Sequence, residues 1–292
     1  IIQSVPEQSA VMRMARRLPN MTRAQLRLPV MSGLITAGFV DGDTGLKETG
    51  EVTWANKYIN AAELAVIVPI PETVLADADY DMWGEVRPRI MEAFGRAFDA
   101  AVLYGTNKPS DWPDGLVTGA TAASQAVTLG AGADLYEDIM GEGGVIAKVE
   151  EDGFMVTGHI AALALRAKLR GLRDNQGLPI FVRTVQTATP YELDGVPVDF
   201  PKNGAVDAAQ SLLVSGDWTQ LVYAIRQDVT YKVLTEAVIT NGAGTIQYNL
   251  AQQDMVALRV VMRLGWQLPN PVNNVNQTEA TRYPFAVLLP AG

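Results

Sequence analysis

The sequence predicts an α+β protein, and three observations carry this prediction. Residues 72–105 hold the best helix pattern, with apolar residues such as Ile90 and Phe94 at helical spacing on one face. Residues 255–266 carry apolar residues at every second position from Val256 to Trp266, with Arg259 and Arg263 on the other face, and predict one long strand. Between them, residues 106–244 form short elements in an order that does not repeat as βαβ units, which favours α+β over a parallel α/β sheet.

Composition limits the class of protein. With 292 residues, of which 48% are hydrophobic, the chain can form one large domain or two modest ones. Mean hydropathy is only +0.08 and no apolar run approaches twenty residues, so we expect no transmembrane helix. The formal charge of −9 makes the chain a poor general nucleic-acid binder. The lack of cysteine excludes disulfides, thiolate catalysis and cysteine-ligated metal sites.

Residues 1–30 stand apart in charge, because they contain five arginines and a single acidic residue, Glu7. Apolar and basic residues mix without a sustained helical stripe, so we expect an extended or partly helical arm. Two interpretations stay open: a solvated segment, which is the usual outcome, and an arm that docks on an acidic neighbour or lies near nucleic acid. The sequence begins at Ile1, which indicates either a trimmed chain or a proteolytic cut.

A long β-hairpin is predicted over residues 31–71. Residues 34–39 alternate, a Gly- and Asp-rich turn follows over 41–50, and the alternation resumes over 52–58 and 64–70. Two-stranded ribbons are marginally stable alone. The hairpin therefore needs support, either from its own domain or from a neighbouring subunit.

The main helix has clear local signals at both ends. Asp81 is a candidate N-cap, and Gly105 ends the pattern. Pro88 lies inside the pattern, so the helix either begins there or is kinked there.

Further along the chain we expect a helix opened by Asp134, a short strand over 154–156 and a second helix over 159–173. Hairpin turns are predicted at 194–195 and 216–217.

No catalytic, cofactor-binding or metal-ligating residues are predicted. The segment 105–108 lacks the frame of a Walker A loop, the glycine clusters do not complete GxGxxG, and Ser215 lacks the glycine that GxSxG requires. His159, the single histidine, is expected between a strand and a helix start, where a structural role is far commoner than that of base or ligand. The acidic group 150–152 is expected to be a solvated helix end.

Several segments, taken in chain order and at their spacing, carry a resemblance that covers nearly the whole chain: 9–15, 27–30, 37–40, Glu48, 64–70, 71–77, 98–105, 194–198, 215–218 and 256–263. Together they resemble the major capsid proteins of tailed bacteriophages with the HK97-like fold. In that order they are similar to the family's N-terminal arm (9–15 and 27–30), the extended hairpin called the E-loop (37–40, Glu48 and 64–70), the spine helix (71–77 and 98–105), the A-domain hairpin and turn (194–198 and 215–218) and a P-domain strand (256–263).

The resemblance implies a division of the chain and a function. It implies an N-arm over 1–30, an E-loop over 31–71, a P-domain with the spine helix over 72–115 and 245–272, and an A-domain over 116–244 and 273–292. It further implies self-assembly into pentamers and hexamers of an icosahedral shell around double-stranded DNA, bound without sequence specificity. Deleting residues 1–30 is then expected to impair assembly while the subunit keeps its fold.

The resemblance also implies partners and a location. These are the portal, decoration proteins and a maturation protease that cuts before Ile1, in a virion assembled in the bacterial cytoplasm, with no membrane partner. Some relatives crosslink an E-loop lysine to a P-domain asparagine; Lys47, Lys57, Asn270 and Asn273 are nearby candidates here, but no local motif fixes them and we assign no crosslink. Two alternatives remain: an encapsulin-type compartment that holds protein cargo, and an α+β hydrolase using His159 or an acidic pair.

Overall fold

The computed structural model describes residues 5–40, 47, 49–76, 82–173 and 191–291. None of the helices in these ranges has the length and apolar character needed to cross a membrane. The helices are α1 (Val5–Gln8), α2 (Ala10–Met14), α3 (Glu72–Ala76), α4 (Met82–Tyr104), α5 (Leu116–Ala122), α6 (Leu135–Met140), α7 (Val145–Glu151) and α8 (Leu163–Gly171).

The strands of the described residues form two larger sheets and two ribbons. The strands are β1 (Arg16–Arg17), β2 (Gln25–Met31), β3 (Trp54–Asn60), β4 (Ala62–Pro71), β5 (Ala126–Thr128), β6 (Gly158–Ala161), β7 (Glu192–Leu193), β8 (Val196–Asp199), β9 (Leu213–Gly216), β10 (Val222–Leu234), β11 (Val238–Thr240), β12 (Ile246–Asn249), β13 (Met255–Gln267) and β14 (Phe285–Leu289).

The first sheet, in the order β1-β10-β13-β4, packs against α4. The predicted long strand is confirmed as β13, and its alternate residues Leu258, Val260 and Met262 are buried. The predicted main helix is also confirmed, but it begins at Met82 and continues through Pro88 rather than starting there. Residue 81, the expected N-cap, lies outside the described residues.

The second sheet, in the order β5-β14-β9-β6-β8-β7, packs with α6, α7 and α8 around a second apolar cluster. The helix opened by Asp134 is confirmed, since its carboxylate accepts hydrogen bonds from the backbone N–H groups of residues 136 and 137. The predicted strand over 154–156 is wrong, because the strand is β6, and α8 begins only at Leu163. All four residues of β6 are buried, and a strand buried on both faces shows no alternation that would separate it from a helix.

The two predicted hairpin turns differ in outcome. Asp194 and Gly195, with φ of 51° and 71°, join β7 and β8 in a tight turn, as predicted. The turn at 216–217 does not join paired strands, because β9 pairs with β6 and β14 while β10 pairs with β1 and β13. This turn carries the chain from one sheet to the other.

The hairpin forms with other strands than expected. β2 pairs with β3, from Gln25 opposite Asn60 to Met31 opposite Trp54, whereas residues 34–39 lie in no strand. The expected return strand 64–70 belongs to β4, which pairs with β13. The domain boundary proposed at 244/245 lies in the segment between β10 and β13, which pair with each other. Alternation identifies a strand but not its partner, which explains the difference in pairing within residues 31–71.

The first part of the expected arm, residues 5–17, which we call the arm from here on, is packed into the subunit rather than solvated, whereas residues 25–30 lie in β2. Val5, Ala10, Val11 and Met12 are buried in the cluster that contains Phe98. β1 then adds in parallel to the edge of β10. Helices of four and five residues are too short to show an apolar stripe, so the packing of the arm could not be predicted from the sequence pattern.

Candidate assembly surface

The ribbon of β2 and β3 has one face toward its own subunit. Val30 and Ile59 are buried, and Ile59 packs with Met21, Val222 and Ala224 in a small apolar cluster. Because side chains alternate across a strand, the neighbouring residues must point to the opposite face. One face of the ribbon is therefore anchored and the other is free.

The free face carries two exposed aromatic side chains. Trp54, opposite Met31, is 61% exposed, and Tyr58, opposite Arg27, is 40% exposed. Between them Arg27 Nε donates to Asn56 Oδ1 at 2.6 Å, which orders the polar side chains of this face. We call Arg27, Met31, Trp54, Asn56 and Tyr58 the outward face.

The exposed apolar surface continues beyond the strands. The N–H of Ser32 donates to the carbonyl oxygen of Thr53 at 2.9 Å, so the segments that follow β2 and precede β3 remain side by side there. Past this point Ile35 is 61% exposed and Phe39 is fully exposed. A run of exposed apolar side chains of this kind marks an interaction surface in a soluble protein.

The base of the ribbon is fixed to the subunit by polar contacts. Lys57 Nζ forms an ion pair with Glu279 Oε1 at 2.7 Å, and this contact lowers the pKa of Glu279. Gln267 Nε2 donates to the carbonyl oxygen of Tyr58 at 2.9 Å, and Trp112 Nε1 donates to that of Asn60 at 2.9 Å. A base held in this way presents the outward face in a defined direction.

The crosslink candidates have roles within their own subunit. Asn270 Nδ2 donates to the carbonyl oxygen of Arg282 at 2.8 Å, and Asn273 Nδ2 donates to that of Asp152 at 2.7 Å. Lys57 is paired with Glu279, and Lys47 is exposed. The structure does not bring these lysines and asparagines together into a site within the subunit.

His159 lies inside β6, not at a helix start as expected. Its Nδ1 is 2.7 Å from Ser215 Oγ, because the register of β6 and β9 places the two residues opposite each other. Both side chains are fully buried, and burial lowers the pKa of His159 to about 4. The distance is that of a nucleophile and its base, but the pair lies within a packed sheet, where no substrate has access. Sequence reasoning missed the pair because it placed His159 on a helix and judged Ser215 by motif alone.

The acidic group 150–152 is only partly a solvated helix end. Glu150 and Glu151 are exposed, but Asp152 is buried and accepts hydrogen bonds from Gln125 Nε2 at 2.7 Å and from the N–H of Tyr283 at 2.8 Å. It joins α7 to the segment that leads into β14. Within the described ranges, no cluster of three or more acidic residues or histidine has the arrangement of a metal site.

Comparison with known proteins gives consistent results. The profile of the Phage capsid family matches residues 1–272. The chain is 28% identical over 269 residues to the major capsid protein of Staphylococcus phage 80alpha, covering 91% of this chain and 78% of that protein. It is 27% identical over 262 residues to a probable major capsid protein of Mycobacterium phage D29, covering 86% of this chain and 79% of that one.

Solved structures of similar fold cover nearly the full length of the chain. A structure from Microbacterium phage Oxtober96 superposes with a TM-score of 0.84 at 38% identity, covering 97% of this chain and 91% of that one. One from Mycobacterium phage Cain gives 0.82 at 32% identity, covering 99% and 91%. These similarities confirm the predicted HK97-like capsid fold and a structural rather than an enzymatic family. With its match to the family profile over most of its length, the chain belongs to the phage capsid family.

Proposed function

We propose that the chain is a major capsid protein whose copies form pentamers and hexamers of an icosahedral shell around double-stranded DNA. The observation that carries this proposal is the outward face, an aromatic surface on a ribbon whose base is fixed and whose free side has no cover within the described subunit. Together with membership of the phage capsid family, this surface supports assembly through a second copy of the same chain.

The proposed rings require a contact between unlike surfaces. In a ring of five or six copies each contact joins two different surfaces, so the surface that covers the ribbon lies elsewhere on the neighbouring copy. Heterologous contacts of this kind close into rings when the rotation between copies allows it. The chain has no cysteine, so interlocked segments and buried area must hold such a shell together.

The charge of the chain supports loose rather than tight enclosure of DNA. A formal charge of −9 gives little overall attraction for phosphate, which suits a genome that must enter and leave. Entry through a portal belongs to the same proposal. A protease cut before Ile1 stays a prediction.

Electron microscopy of the purified protein tests assembly. We expect closed shells of uniform diameter; small, discrete oligomers alone would overturn the proposal. Treating the shells with nuclease and then extracting nucleic acid tests the cargo. Protected double-stranded DNA is expected in particles from infected cells, whereas protected protein cargo without DNA would favour an encapsulin-type compartment.

A further inference from the structure

One buried carboxylate has no role in the outward face. Asp99 lies in the C-terminal third of α4 and is fully buried, and its carboxylate accepts four hydrogen bonds. Oδ1 accepts from Ser9 Oγ at 2.5 Å and from the N–H of Val11 at 3.1 Å. Oδ2 accepts from the N–H of Ala10 at 3.0 Å and from Asn203 Nδ2 at 3.0 Å. Burial raises the pKa of Asp99, and the four donors act in the opposite direction.

These four donors come from two segments that are far from Asp99 in sequence. Ser9, Ala10 and Val11 belong to the arm, at the junction of α1 and α2. Asn203 belongs to the loop after β8 and also donates to the carbonyl oxygen of Gln8 at 3.0 Å. The carboxylate therefore joins the arm, the main helix and a loop of the second sheet at one point.

A glycine in α4 allows the arm to cross the helix at this point. Gly95 lies one turn before Asp99 on the same face of α4. A Cβ atom at Gly95 would lie 2.9 Å from the carbonyl carbon of Gln8, closer than side chains approach backbone in folded proteins. The absence of a side chain at this position lets the arm lie directly on the helix.

Past this crossing the arm contacts both sheets. Arg13 forms an ion pair with Asp199 at the end of β8, and a Cβ atom at Gly158 in β6 would overlap Met14 Cε. Two residues later, the N–H of Arg16 donates to the carbonyl oxygen of Leu221 at 2.9 Å, beside the first sheet. The arm thus spans the junction between the sheets.

We propose that Asp99 is a latch that fixes the arm (residues 5–17) across the junction of the two sheets and, together with the apolar cluster that the sheets share, holds them at one angle. Val214 of β9, Phe285 of β14 and Val260 of β13 all lie in that shared cluster. Where copies assemble, as the proposed function requires, a fixed angle in each subunit gives the shell one curvature.

The test compares two isosteric substitutions of buried carboxylates. Asp99→Asn replaces one acceptor by an amide that opposes the N–H donors, whereas Asp152→Asn makes the same change at a buried carboxylate that does not touch the arm. The readout is the rate of trypsin cleavage after Arg13, Arg16 and Arg17 in the unassembled subunit. We expect Asp99→Asn to raise this rate about tenfold, since the arm opens more often, and Asp152→Asn to leave it within about twofold.

Equal cleavage rates in the two variants, or an Asp99→Asn rate equal to that of the wild type, would overturn the latch. If Asp99→Asn does not fold, Ser9→Ala and Asn203→Ala each remove one of the four bonds and should raise the rate about threefold; unchanged rates in both would also overturn it. In assembled material, Asp99→Asn shells should scatter in diameter while Asp152→Asn shells stay uniform. Failure of the wild type to form shells would refute the proposed function, whereas the cleavage rates would still decide the latch.

Discussion

The arm and the ribbon of β2 and β3 look alike in the sequence and play opposite parts in the structure. Both are predicted as segments without a core of their own. The arm buries its small apolar residues, such as Val11, against α4, whereas the ribbon keeps Trp54 and Tyr58 in solvent. The arm therefore belongs to the folding of the subunit, and the ribbon to contacts beyond it.

The difference has an energetic meaning. Full burial of an aliphatic side chain contributes about 1.5–3 kcal/mol, so the arm stabilises the subunit before any partner arrives. The outward face contributes this free energy only when a second copy covers it. Changes in the arm should consequently act on folding, and changes in the outward face on assembly.

The largest expected effect is the loss of the arm. Deleting residues 1–15 should abolish the folded subunit, because it exposes the core around Phe98 and leaves Asp99 buried without its arm donors. The milder Met12→Ala should cost about 2–4 kcal/mol, measured by denaturant unfolding of the unassembled protein. Arg16→Ala, at an exposed position of the same arm, is the control and should cost less than about 0.5 kcal/mol. A folded subunit after the deletion would restore the expectation, drawn from the sequence, that the arm serves assembly alone.

Lowering the pH should reduce the stability of the core through His159, which lies in the second sheet rather than in the ribbon. The folded pKa of His159, about 4, lies below its ordinary value of 6.5, so its contribution is complete above pH 6.5. As the pH falls from 6.5 to 4, the unfolded chain takes up a proton that the folded chain does not, and stability falls by about 3 kcal/mol. His159→Gln should flatten the dependence of the unfolding free energy on pH in that window. Equal slopes for both proteins would show that His159 is not held neutral by burial.

Removing the aromatic residues of the outward face should separate assembly from folding. Trp54→Ala combined with Tyr58→Ala should lower the yield of shells by roughly tenfold or more, because the covered aromatic area is lost. The unfolding free energy of the unassembled subunit should change by less than about 0.5 kcal/mol, since both side chains are exposed there. Tyr58→Phe, which keeps the ring, should assemble normally. If the double variant lost enough unfolding free energy to account for its lower yield of shells, the distinction between the two regions would not hold.

The smallest effect is expected at the base of the ribbon. The Lys57–Glu279 pair is partly exposed, with side-chain exposures of 34% and 63%, so its coupling energy should be about 0.2–1 kcal/mol. A double-mutant cycle with Lys57→Ala and Glu279→Ala measures it. Coupling that persists unchanged at high salt would indicate that the ribbon is anchored more rigidly than the exposed pair implies.

The local sequence pattern was enough to predict some elements. β13 carries apolar residues at every second position from Val256 to Trp266, with Arg259 and Arg263 between them, and Asp194 and Gly195 are residue types that favour the tight turn they form. These patterns alone indicated an α+β protein, and the HK97-like fold was implied by the resemblance to known capsid proteins.

Pairing and burial of polar groups could not be predicted in the same way. Residues 64–70 have the alternation of a strand, but only the folded chain shows that their partner is β13. Asp99 lies in a helix pattern among other charged residues, and nothing local distinguishes a carboxylate with four donors from a solvated one. His159 meets Ser215 through a register between distant strands. On the assembly surface, the sequence indicated a ribbon in need of support but not which residues form its outward face.

Electron cryomicroscopy of assembled shells, at a resolution that shows side chains, tests the central claim most directly. The account predicts that Trp54 and Tyr58 are covered by a neighbouring copy, with its atoms within about 4 Å of both rings, while residues 5–17 remain on their own subunit. Shells in which both rings face solvent, or in which the arm crosses to a neighbour, would contradict it.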